Sequence, residues 1–574
     1  MRILGWKRVV SLGLVTVFYG STIPVFASAD DNSKSEPPAK RVAAKVDAPA
    51  PLTERERWLL DRVEELEKRV ADLESKGNPT AASATDALPA GTASANATTS
   101  VIAAAAPSIA PGATAANPGP PSNPGASVGP QAMEKGKSGA AQPGKAEPFA
   151  FADFTWLNGN SRTKDTPYAT SFFTPEIRAD VDYNYSFNHP KDDTIGGSSE
   201  VFRHGEVQVT QLGVGGDFHY DNVRARLMTQ FGMYSQTTPR NDASPARGQW
   251  QLDNAYRYIS EAYGGYHFNA LHGINVDAGI FMSYIGLFSY YQFDNWAYQP
   301  SYVSSNTPWF FNGVRVQIFP TEHLKIEPWF TNGWQSYGRF NNRPGLGVQI
   351  LWRPNGWLSV LGNQYALGEE ALGNPGRVRY HSDDSIEIKY LDHNESFLSK
   401  AAFSLTGDIG CEHGGGVSCW GNSAKGPKQD FLGFMVYNRF WFDRNRYGLT
   451  LGGGRINNPG RYLVLLPPIN GATAASGTPY FTENPGDQFK AWDASGTFDY
   501  MPSQYVTFRW EFDHRAANVP YFSGPGGVTP TSAQCPTAPI VENICGSPGA
   551  FVPGFAPDLK KIENRINLSI LVKF

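Results

Sequence analysis

The last nine residues of the chain alternate between apolar side chains and others that are mostly polar. Every second position is apolar, at Ile566, Leu568, Ile570, Val572 and Phe574. A β-strand points successive side chains to opposite faces, so this stretch predicts a strand with one wholly apolar face. Such a strand suits either the half-buried sheet of a soluble protein or the wall of a membrane barrel with lipid outside and water inside. The remainder of the chain distinguishes these two interpretations.

The same alternation recurs from residue 176 onward. The clearest case is residues 176–187, where every odd position is apolar or aromatic and every even position is charged or polar. Shorter examples fall at residues 223–233, 314–318, 386–390 and 508–513. In each of them one face suits lipid and the other suits water, which is the signature of membrane-barrel strands.

The predicted connections between strands fall into two length classes. Short connections with turn-forming residues fall at residues 221–222, 320–323, 354–356, 443–445 and 502–504. Long connections rich in Gly, Pro, Asn and Ser fall at residues 235–254, 286–308, 411–429, 456–487 and 516–559. Short and long connections alternate along the chain, as they do in outer-membrane barrels with short periplasmic turns and long outer loops.

We therefore predict an all-β fold, a transmembrane antiparallel β-barrel of about 16 strands (14 to 18) that begins near Glu176 and ends at Phe574. An even number of strands leaves both ends of the barrel in the periplasm. Tyr and Trp residues near the predicted strand ends, such as Tyr256 and Trp334, suit the interfacial girdles of a membrane protein. The stretch from Phe149 to Trp156 is either one more strand or a segment folded into the lumen.

Composition agrees with a barrel. The 574 residues include 35 Phe, 26 Tyr, 14 Trp and 59 Gly, yet the mean hydropathy is −0.37, as expected where only alternate residues meet lipid. Beyond the first 29 residues, no apolar run approaches the ~20 residues that a transmembrane helix needs. The net charge of −4 gives no reason to expect nucleic acid as a partner.

The first 147 residues differ from the predicted barrel at 148–574. Residues 1–29 predict a secretory signal peptide, because basic residues precede a short apolar run and a small-residue cleavage site, Ala27-Ser28-Ala29. A transmembrane anchor is the alternative for this stretch. Residues 30–51 predict a flexible segment. Residues 78–147, rich in Ala, Pro and Gly, predict a disordered linker.

Residues 52–77 predict a short coiled-coil helix. Apolar residues follow heptad spacing at Leu59, Val63, Leu66, Val70 and Leu73. This spacing favours a homo-oligomer, with a dimer or a trimer as options. A single amphipathic helix that lies on another surface is the alternative.

Two short motifs resemble a known family. Residues 180–188 (DVDYNYSFN), followed by Pro190, and residues 331–335 (TNGWQ) resemble the β-barrel porins that include OmpL-like proteins. The terminal strand that ends in Phe574 resembles the signal read by the barrel-assembly machinery of the bacterial outer membrane. The resemblance covers residues 150–574. It implies an integral channel for small hydrophilic solutes, set in outer-membrane lipid and lipopolysaccharide, and it implies no catalytic residue.

The charged residues on the polar strand faces are the functional residues that the sequence predicts. Rings of charged side chains set ion preference in pores, so we predict that these residues line the lumen. The basic members are Arg178, Arg224, Arg226, Arg315, Lys325, Lys389 and Arg509, and the acidic members are Glu176, Asp180, Asp182, Glu327, Glu387, Glu511 and Asp513. For any single residue, the alternative is that it only solvates the wall or pairs with a charge on another strand.

The four cysteines lie in two predicted outer loops. Cys411 is close to Cys419, and Cys535 is close to Cys545. In an oxidising compartment these pairs predict two loop disulfides. A zinc site built from Cys411, Glu412, His413 and Cys419 is the alternative. The paired distribution of all four cysteines favours disulfides, so we predict no metal and no cofactor.

The sequence thus predicts an outer-membrane porin in which solutes or ions diffuse passively through a charged lumen narrowed by a folded-in loop. The helix and the linker are expected in the periplasm. One alternative is a plugged barrel that tethers the envelope. The other is an outer-membrane barrel enzyme, for which the sequence offers no convincing set of Ser, His and orienting residues. We therefore expect no enzymatic activity.

Overall fold

The computed structural model describes residues 147–574 apart from 197, 199, 240–241, 243–247, 340–342, 369–375, 422–427, 459–488 and 529–556, and it also describes Lys68. The signal peptide, the flexible segment, the linker up to residue 146 and the predicted helix other than Lys68 lie outside the described residues, as do Cys535 and Cys545. Among the helices in the described ranges, none is long and apolar enough to cross a membrane.

Sixteen antiparallel strands close into a barrel, in which consecutive wall strands pair and the first strand pairs with the last. The wall strands are β1 (Phe173–Ser186), β2 (Val207–Tyr220), β3 (Val223–Thr229), β4 (Ile259–Phe268), β5 (Ile274–Met282), β6 (Phe310–Thr321), β7 (Leu324–Thr331), β8 (Gly345–Asn355), β9 (Leu358–Ala366), β10 (Val378–Asp392), β11 (Leu398–His413), β12 (Asp430–Phe442), β13 (Tyr447–Asn458), β14 (Phe489–Ser503), β15 (Val506–Ala517) and β18 (Ile562–Lys573). This closed wall confirms the predicted fold class.

Short elements occupy the described connections. Two-residue strands β16 (Phe522–Ser523) and β17 (Leu559–Lys560) pair with each other between β15 and β18. Helices α1 (Tyr234–Thr237) and α2 (Leu252–Tyr256) follow β3, and α3 (Tyr302–Ser305) follows β5. Single 3-10 turns form at Thr155–Leu157 and Gln292–Asp294.

The two faces of the wall differ in exposure, as the alternation predicts. On β15, Trp510 and Phe512 are 43% and 47% exposed, whereas Arg509 is 1% exposed. The neighbouring β18 places Leu568 beside Trp510 and Ser569 beside Arg509. Because residues that face each other across antiparallel strands share a face, this register gathers apolar side chains on the outer surface and polar ones toward the lumen.

The connections alternate in length in the predicted way. Short turns join β2 to β3, β6 to β7, β8 to β9, β12 to β13 and β14 to β15. In the β12–β13 turn, Asp443, Arg444 and Asn445 all have positive φ, a conformation that Asp and Asn tolerate better than most residues. The long connections lie at the other end of the barrel. We call the end with the short connections the short-turn end.

Aromatic rings gather on the outer surface at the short-turn end. Tyr500 stacks on Tyr447 and on Phe508, so the three rings form a row across β13, β14 and β15. Tyr505 stacks on the C-terminal Phe574 with ring centroids 5.4 Å apart. Rings of this kind suit the boundary between hydrocarbon and headgroups.

Two segments fold into the lumen. We call residues 283–309, between β5 and β6, the inner loop, and residues 147–163, before β1, the N-terminal segment. Both contain fully buried aromatic side chains, Tyr298 in the inner loop and Trp156 in the N-terminal segment. The N-terminal segment contains one 3-10 turn and no wall strand, so the folded-in alternative is the correct one.

Candidate pore and its constriction

The strand wall holds the inner loop by its backbone. On β15, Arg509 donates hydrogen bonds from its two Nη atoms to the carbonyl oxygens of Gln292 at 3.1 Å and Asn295 at 2.6 Å. Its Nε bonds a carboxylate oxygen of Asp499 on β14 at 2.7 Å, and neither side chain is exposed. Arg509, which the sequence predicts to line the lumen, is therefore enclosed and fixes the position of the loop.

A second arginine and a glutamate hold the next part of the loop. Arg439 on β12 donates to the carbonyl oxygen of Trp296 at 3.1 Å. Glu511 on β15 accepts backbone N–H bonds from Tyr298 and Gln299, both at 2.6 Å. A buried carboxylate that accepts two backbone donors is well solvated by the protein. Glu511 thus also serves to anchor the loop.

The other edge of the inner loop meets a charged network, which we call the constriction cluster. Its members are Glu176, Arg178, Asp217, Arg226, Glu261, Asp294 and Lys573. Arg178 joins loop to wall, because its Nη1 lies 2.7 Å from Asp294 Oδ2 while its Nε bonds Glu176. Its guanidinium also lies 4.0 Å from the ring centre of Tyr291, a cation–π geometry.

Arg226 is the second centre of the cluster. It contacts Glu176 at 3.1 Å, Asp217 at 3.0 Å and also Glu261. Glu261 in turn accepts a hydrogen bond from the Tyr291 hydroxyl at 2.7 Å. A single guanidinium therefore binds carboxylates from three strands, which fixes the local shape of the wall.

Asp294 is the acidic group that the inner loop contributes to the cluster. It lies 3.2 Å from Lys573 Nζ as well as 2.7 Å from Arg178. Burial disfavours its charged form, but the two neighbouring cations hold the pKa of Asp294 below its usual value. The ionised carboxylate thus ties the loop to β1 and β18.

Three side chains of the constriction cluster are partly exposed. The side chains of Lys573, Asp217 and Glu176 are 22%, 17% and 12% exposed, whereas the loop anchors Arg509 and Asp499 are not exposed. The charged side chains are therefore enclosed at these loop anchors on β14 and β15 and partly exposed at Glu176, Asp217 and Lys573 on β1, β2 and β18.

A second group of charges lies nearer the short-turn end, and we call it the lower cluster. Asp277 on β5 pairs with Arg224 at 3.1 Å and with Arg315 at 3.0 Å. Lys325 pairs with Glu327 at 2.7 Å on β7. Four of these five residues are among the predicted lumen residues, and Arg224 keeps a 16% exposed side chain.

Two predicted acidic residues of β1 lie beneath the inner loop and outside the constriction cluster. Asp180 accepts a hydrogen bond from the Tyr298 hydroxyl at 3.1 Å. Asp182 accepts one from the Thr210 hydroxyl at 2.7 Å. Both carboxylates are buried, so they pack the loop against the wall.

The remaining predicted lumen residues are scattered. Glu387 is buried on β10, and Lys389 binds Asp392 at 2.6 Å near the short-turn end. Asp513 on β15 lies 3.5 Å from Arg565 of β18. For these residues, cross-strand pairing and wall packing describe the observed contacts.

Sequence reasoning missed several residues of the two clusters and of the loop anchors. These are Asp217, Glu261, Asp277, Asp294, Arg439, Asp499 and Arg565. Asp277 and Asp499 occupy inward positions of their strands. The alternation that predicted the neighbouring lumen residues could therefore have identified them as well. Glu261 follows a register shift between β3 and β4, which disturbs the alternation, and Asp294 lies in a loop.

Cys411 and Cys419 form a disulfide at the outer end of β11, which confirms this predicted pair. Both thiols are thereby used, and Glu412 pairs with Arg379 at 2.7 Å. The alternative zinc site at these residues is therefore wrong.

A closed 16-stranded wall, a loop folded into its lumen and partly exposed charges beside that loop are the features of a β-barrel of the porin class. The chain belongs to the family described as "Putative beta-barrel porin-2, OmpL-like", whose match covers residues 178–541. Family membership confirms the resemblance seen in the sequence and makes the protein an outer-membrane porin.

The comparison with solved structures found several similar proteins. They include the outer-membrane expressed OmpT of Vibrio cholerae (9% identity, 71% of this chain and 100% of that chain, TM-score 0.39). The outer membrane channel DcaP of Acinetobacter baumannii (12%, 70% and 97%, 0.38) and the anion-selective porin from Comamonas acidovorans (10%, 70% and 99%, 0.39) are similar as well. The comparison with curated proteins found no match.

Proposed function

We propose that solutes diffuse passively through this barrel between the inner loop and the wall formed by β1 to β5. The observation that supports this path is the partial exposure of Glu176, Asp217 and Lys573, which contrasts with the full burial of the loop anchors Arg509 and Asp499. The predicted lumen residues on the path are Glu176, Arg178, Arg224 and Arg226. Passage of this kind involves no covalent chemistry, and we propose no enzymatic role.

The charges along the path favour a weakly selective pore. The constriction cluster has four carboxylates and three cations, whereas the lower cluster has three cations and two carboxylates. The two clusters together are balanced, so ions of both signs and small uncharged hydrophilic solutes are accommodated.

Single-channel recording in planar bilayers tests this proposal. Stable current steps, with a zero-current potential near zero under a salt gradient, are the expected result. A protein that heat-modifiable mobility shows to be folded, but that conducts no current, would contradict passive diffusion. Liposome swelling with uncharged sugars provides the matching test for solutes.

A plugged barrel that tethers the envelope is the second candidate function. The observation in its favour is the close packing of the N-terminal segment inside the short-turn end. In that case, deletion of residues 30–146 weakens the envelope and leaves permeability unchanged. If the protein is a porin, permeability should change only when residues of the lumen are changed.

Several further features remain proposals about the whole chain. We propose export by the signal peptide, insertion by the barrel-assembly machinery into lipid and lipopolysaccharide, and a periplasmic position for the helix and linker. Heptad spacing supports a homo-oligomer, such as a trimer. Replacement of Leu59 and Leu66 by Asn is expected to lower the oligomer mass measured in detergent. We also propose a second disulfide, between Cys535 and Cys545.

A further inference from the structure

We infer that the N-terminal segment sets the size limit of the pore, because it closes one side of the barrel and supports the inner loop beside the solute path. This inference rests on the proposed diffusion function. It assigns residues 147–163 a role in specificity, in addition to the charged residues of the wall.

The wall has an apolar site that fits the N-terminal segment. Inward positions of a water-filled barrel are normally polar. Near the short-turn end, however, six strands point buried apolar side chains inward. They are Phe319, Leu351, Leu361, Ala402, Trp441 and Met501. A surface of this kind is costly to expose to water, so the wall is suited to a permanently covered state on this side.

The N-terminal segment covers this surface with its own apolar residues. Phe149, Phe154, Trp156 and Leu157 are at most 4% exposed and belong to the same buried cluster. Phe149 meets Phe319 edge to face, with centroids 6.4 Å apart.

A cation also contacts the aromatic residues of the segment. The guanidinium of Arg353 on β8 lies 4.5 Å from the ring centre of Phe154 and 5.3 Å from that of Phe149. Wall and segment therefore match in apolar surface and in cation–π geometry.

Hydrogen bonds fix the segment to three separate turns. The backbone N–H of Phe149 donates to the carbonyl of Glu322 in the β6–β7 turn at 2.8 Å. The Trp156 indole donates to the carbonyl of Gly356 in the β8–β9 turn at 3.1 Å. The segment thus begins its course on the β6 side of the mouth and crosses toward β9.

The far end of the segment binds the β14–β15 turn. Asn160 Nδ2 donates to the carbonyl of Ser503 at 3.0 Å, and Arg162 Nη1 donates to the carbonyl of Met501 at 2.6 Å. With these anchors the segment extends from the β6–β7 turn to the β14–β15 turn. The partly exposed charges Glu176, Asp217 and Lys573 lie on other strands, β1, β2 and β18.

The segment also contacts the inner loop directly. The Gly159 N–H donates to the carbonyl of Asp294 at 2.9 Å, and Arg439 Nη2 donates to the carbonyl of Gly159 at 2.7 Å. A Cβ atom on residue 159 would lie 2.4 Å from the carbonyl oxygen of Asn295. Segment and loop are therefore in backbone contact directly behind the constriction cluster, and a displaced segment removes this one of the loop's supports.

The experiment compares a release variant with a matched control in the full-length protein. The release variant, Trp156→Ala/Asn160→Ala/Arg162→Ala, removes three anchors. The control, Lys164→Ala/Asp165→Ala, changes neighbouring side chains that are exposed. A second variant, Phe149→Ala/Phe154→Ala, weakens the apolar contact and leaves the polar anchors intact. Heat-modifiable mobility identifies the folded barrels that are used for recording.

We expect both release variants to pass larger uncharged sugars in liposome swelling and to raise single-channel conductance roughly twofold, since pore diameter governs passage. The zero-current potential should stay near the wild-type value, because the charged clusters are unchanged.

Two outcomes overturn the inference, and they differ from failure of the proposed function. If folded wild-type, control and release proteins conduct equally with the same sugar limit, the N-terminal segment does not set the size limit and the porin function stands. If all of them are silent, passive diffusion itself is wrong and the inference falls with it.

Discussion

Two arginines show how the same residue type takes different roles on one wall. Arg178 and Arg509 both occupy inward positions of barrel strands, and the alternation predicts the same role for both. Arg509 donates to the inner loop backbone and is enclosed. Arg178 pairs with Asp294 beside side chains that remain in contact with water. Its neighbours in the constriction cluster are therefore the residues at which charge should influence ion passage.

Neutralising single charges of the constriction cluster should shift ion preference in opposite directions. Lys573→Gln removes a cation that is 22% exposed, so the zero-current potential should move toward cation preference. Glu176→Gln removes an accessible carboxylate, so the potential should move toward anion preference. Lys490→Gln, at an exposed position near the outer end of β14, is the control and should leave the potential unchanged. Shifts of the same sign for Lys573→Gln and Glu176→Gln would contradict the proposed path.

Asp294 makes the anchoring of the inner loop dependent on pH. Its pKa is lowered in the folded protein, so the folded state binds fewer protons at this site than the unfolded state. The stabilisation is present above the unfolded-state pKa of about 4 and is lost as pH falls through the lower folded-state pKa. The difference in unfolding free energy between wild type and Asp294→Asn should be constant from pH 7 to pH 5 and should shrink below pH 4. Denaturant titrations at these pH values measure it, and a difference that already shrinks at pH 5.5 would contradict this account.

Gly159 tests how closely the N-terminal segment and the inner loop are packed. An added Cβ would lie 2.4 Å from one loop carbonyl oxygen and 2.5 Å from another. Gly159→Ala should therefore destabilise the barrel by about 1–3 kcal/mol, as overpacking does. Gly264→Ala is the control, since a Cβ there has nothing within 4 Å. Equal unfolding midpoints for the two variants would show that the contact is loose.

At the scale of elements, the inner loop depends on anchors that belong to other strands. Arg509→Met keeps much of the side-chain volume but removes every donor, and Asp499 loses one of its two guanidinium partners. Removal of one partner from a buried ion pair typically costs about 3–5 kcal/mol, and the freed loop should produce noisy, larger current steps. Arg455→Met, at an exposed position of β13, should leave both stability and current noise unchanged. If Arg509→Met gives a current trace as quiet as that of the wild type, the loop is held without this arginine.

The strands were predictable from the sequence, whereas the inner loop was predictable only in outline. Alternation between lipid and water is a local pattern, so residues 176–187 and 566–574 reveal their strands directly. The folding of residues 283–309 into the lumen depends on Arg439, Arg509 and Glu511, which are more than a hundred positions away in the chain. Local patterns contain no information on such pairings. Asp294, the loop carboxylate of the constriction cluster, could not be found for that reason.

At the scale of the whole molecule, the role of the predicted lumen charges in conduction stays a prediction, and the structure adds which of them are enclosed. Inward charges were identified only from the two-residue alternation of side chains along each strand. This alternation does not show which inward side chains are covered by other parts of the chain. The apolar inward residues near the short-turn end, such as Leu351 and Trp441, look like exceptions to the alternation in the sequence. They are explained by the N-terminal segment, which covers them. A break in an alternating pattern thus signals a partner inside the barrel.

Residue Phe574 adds contacts to the closure of the wall between β1 and β18. The N–H of Phe574 donates to the carbonyl of Ile177 at 2.9 Å, the N–H of Ile177 donates back at 3.3 Å, and the Phe574 ring stacks on Tyr505. Phe574→Ala removes one aromatic pair, worth about 0.5–1.5 kcal/mol. Phe187→Ala removes a comparable pair with Tyr185 at the opposite end of β1, where the ring is similarly exposed.

The two variants separate folded-state stability from assembly. If the C-terminal Phe is read during insertion, Phe574→Ala should strongly lower the fraction of heat-modifiable barrel in the outer membrane, while Phe187→Ala should not. Purified proteins refolded in detergent should show similar, small losses of stability for both variants, because each loses one ring contact. Equal yields of the two variants in the membrane would restrict Phe574 to a packing role. A lower yield confined to Phe574→Ala would make the last residue of the sequence a signal as well as the closing contact of the wall.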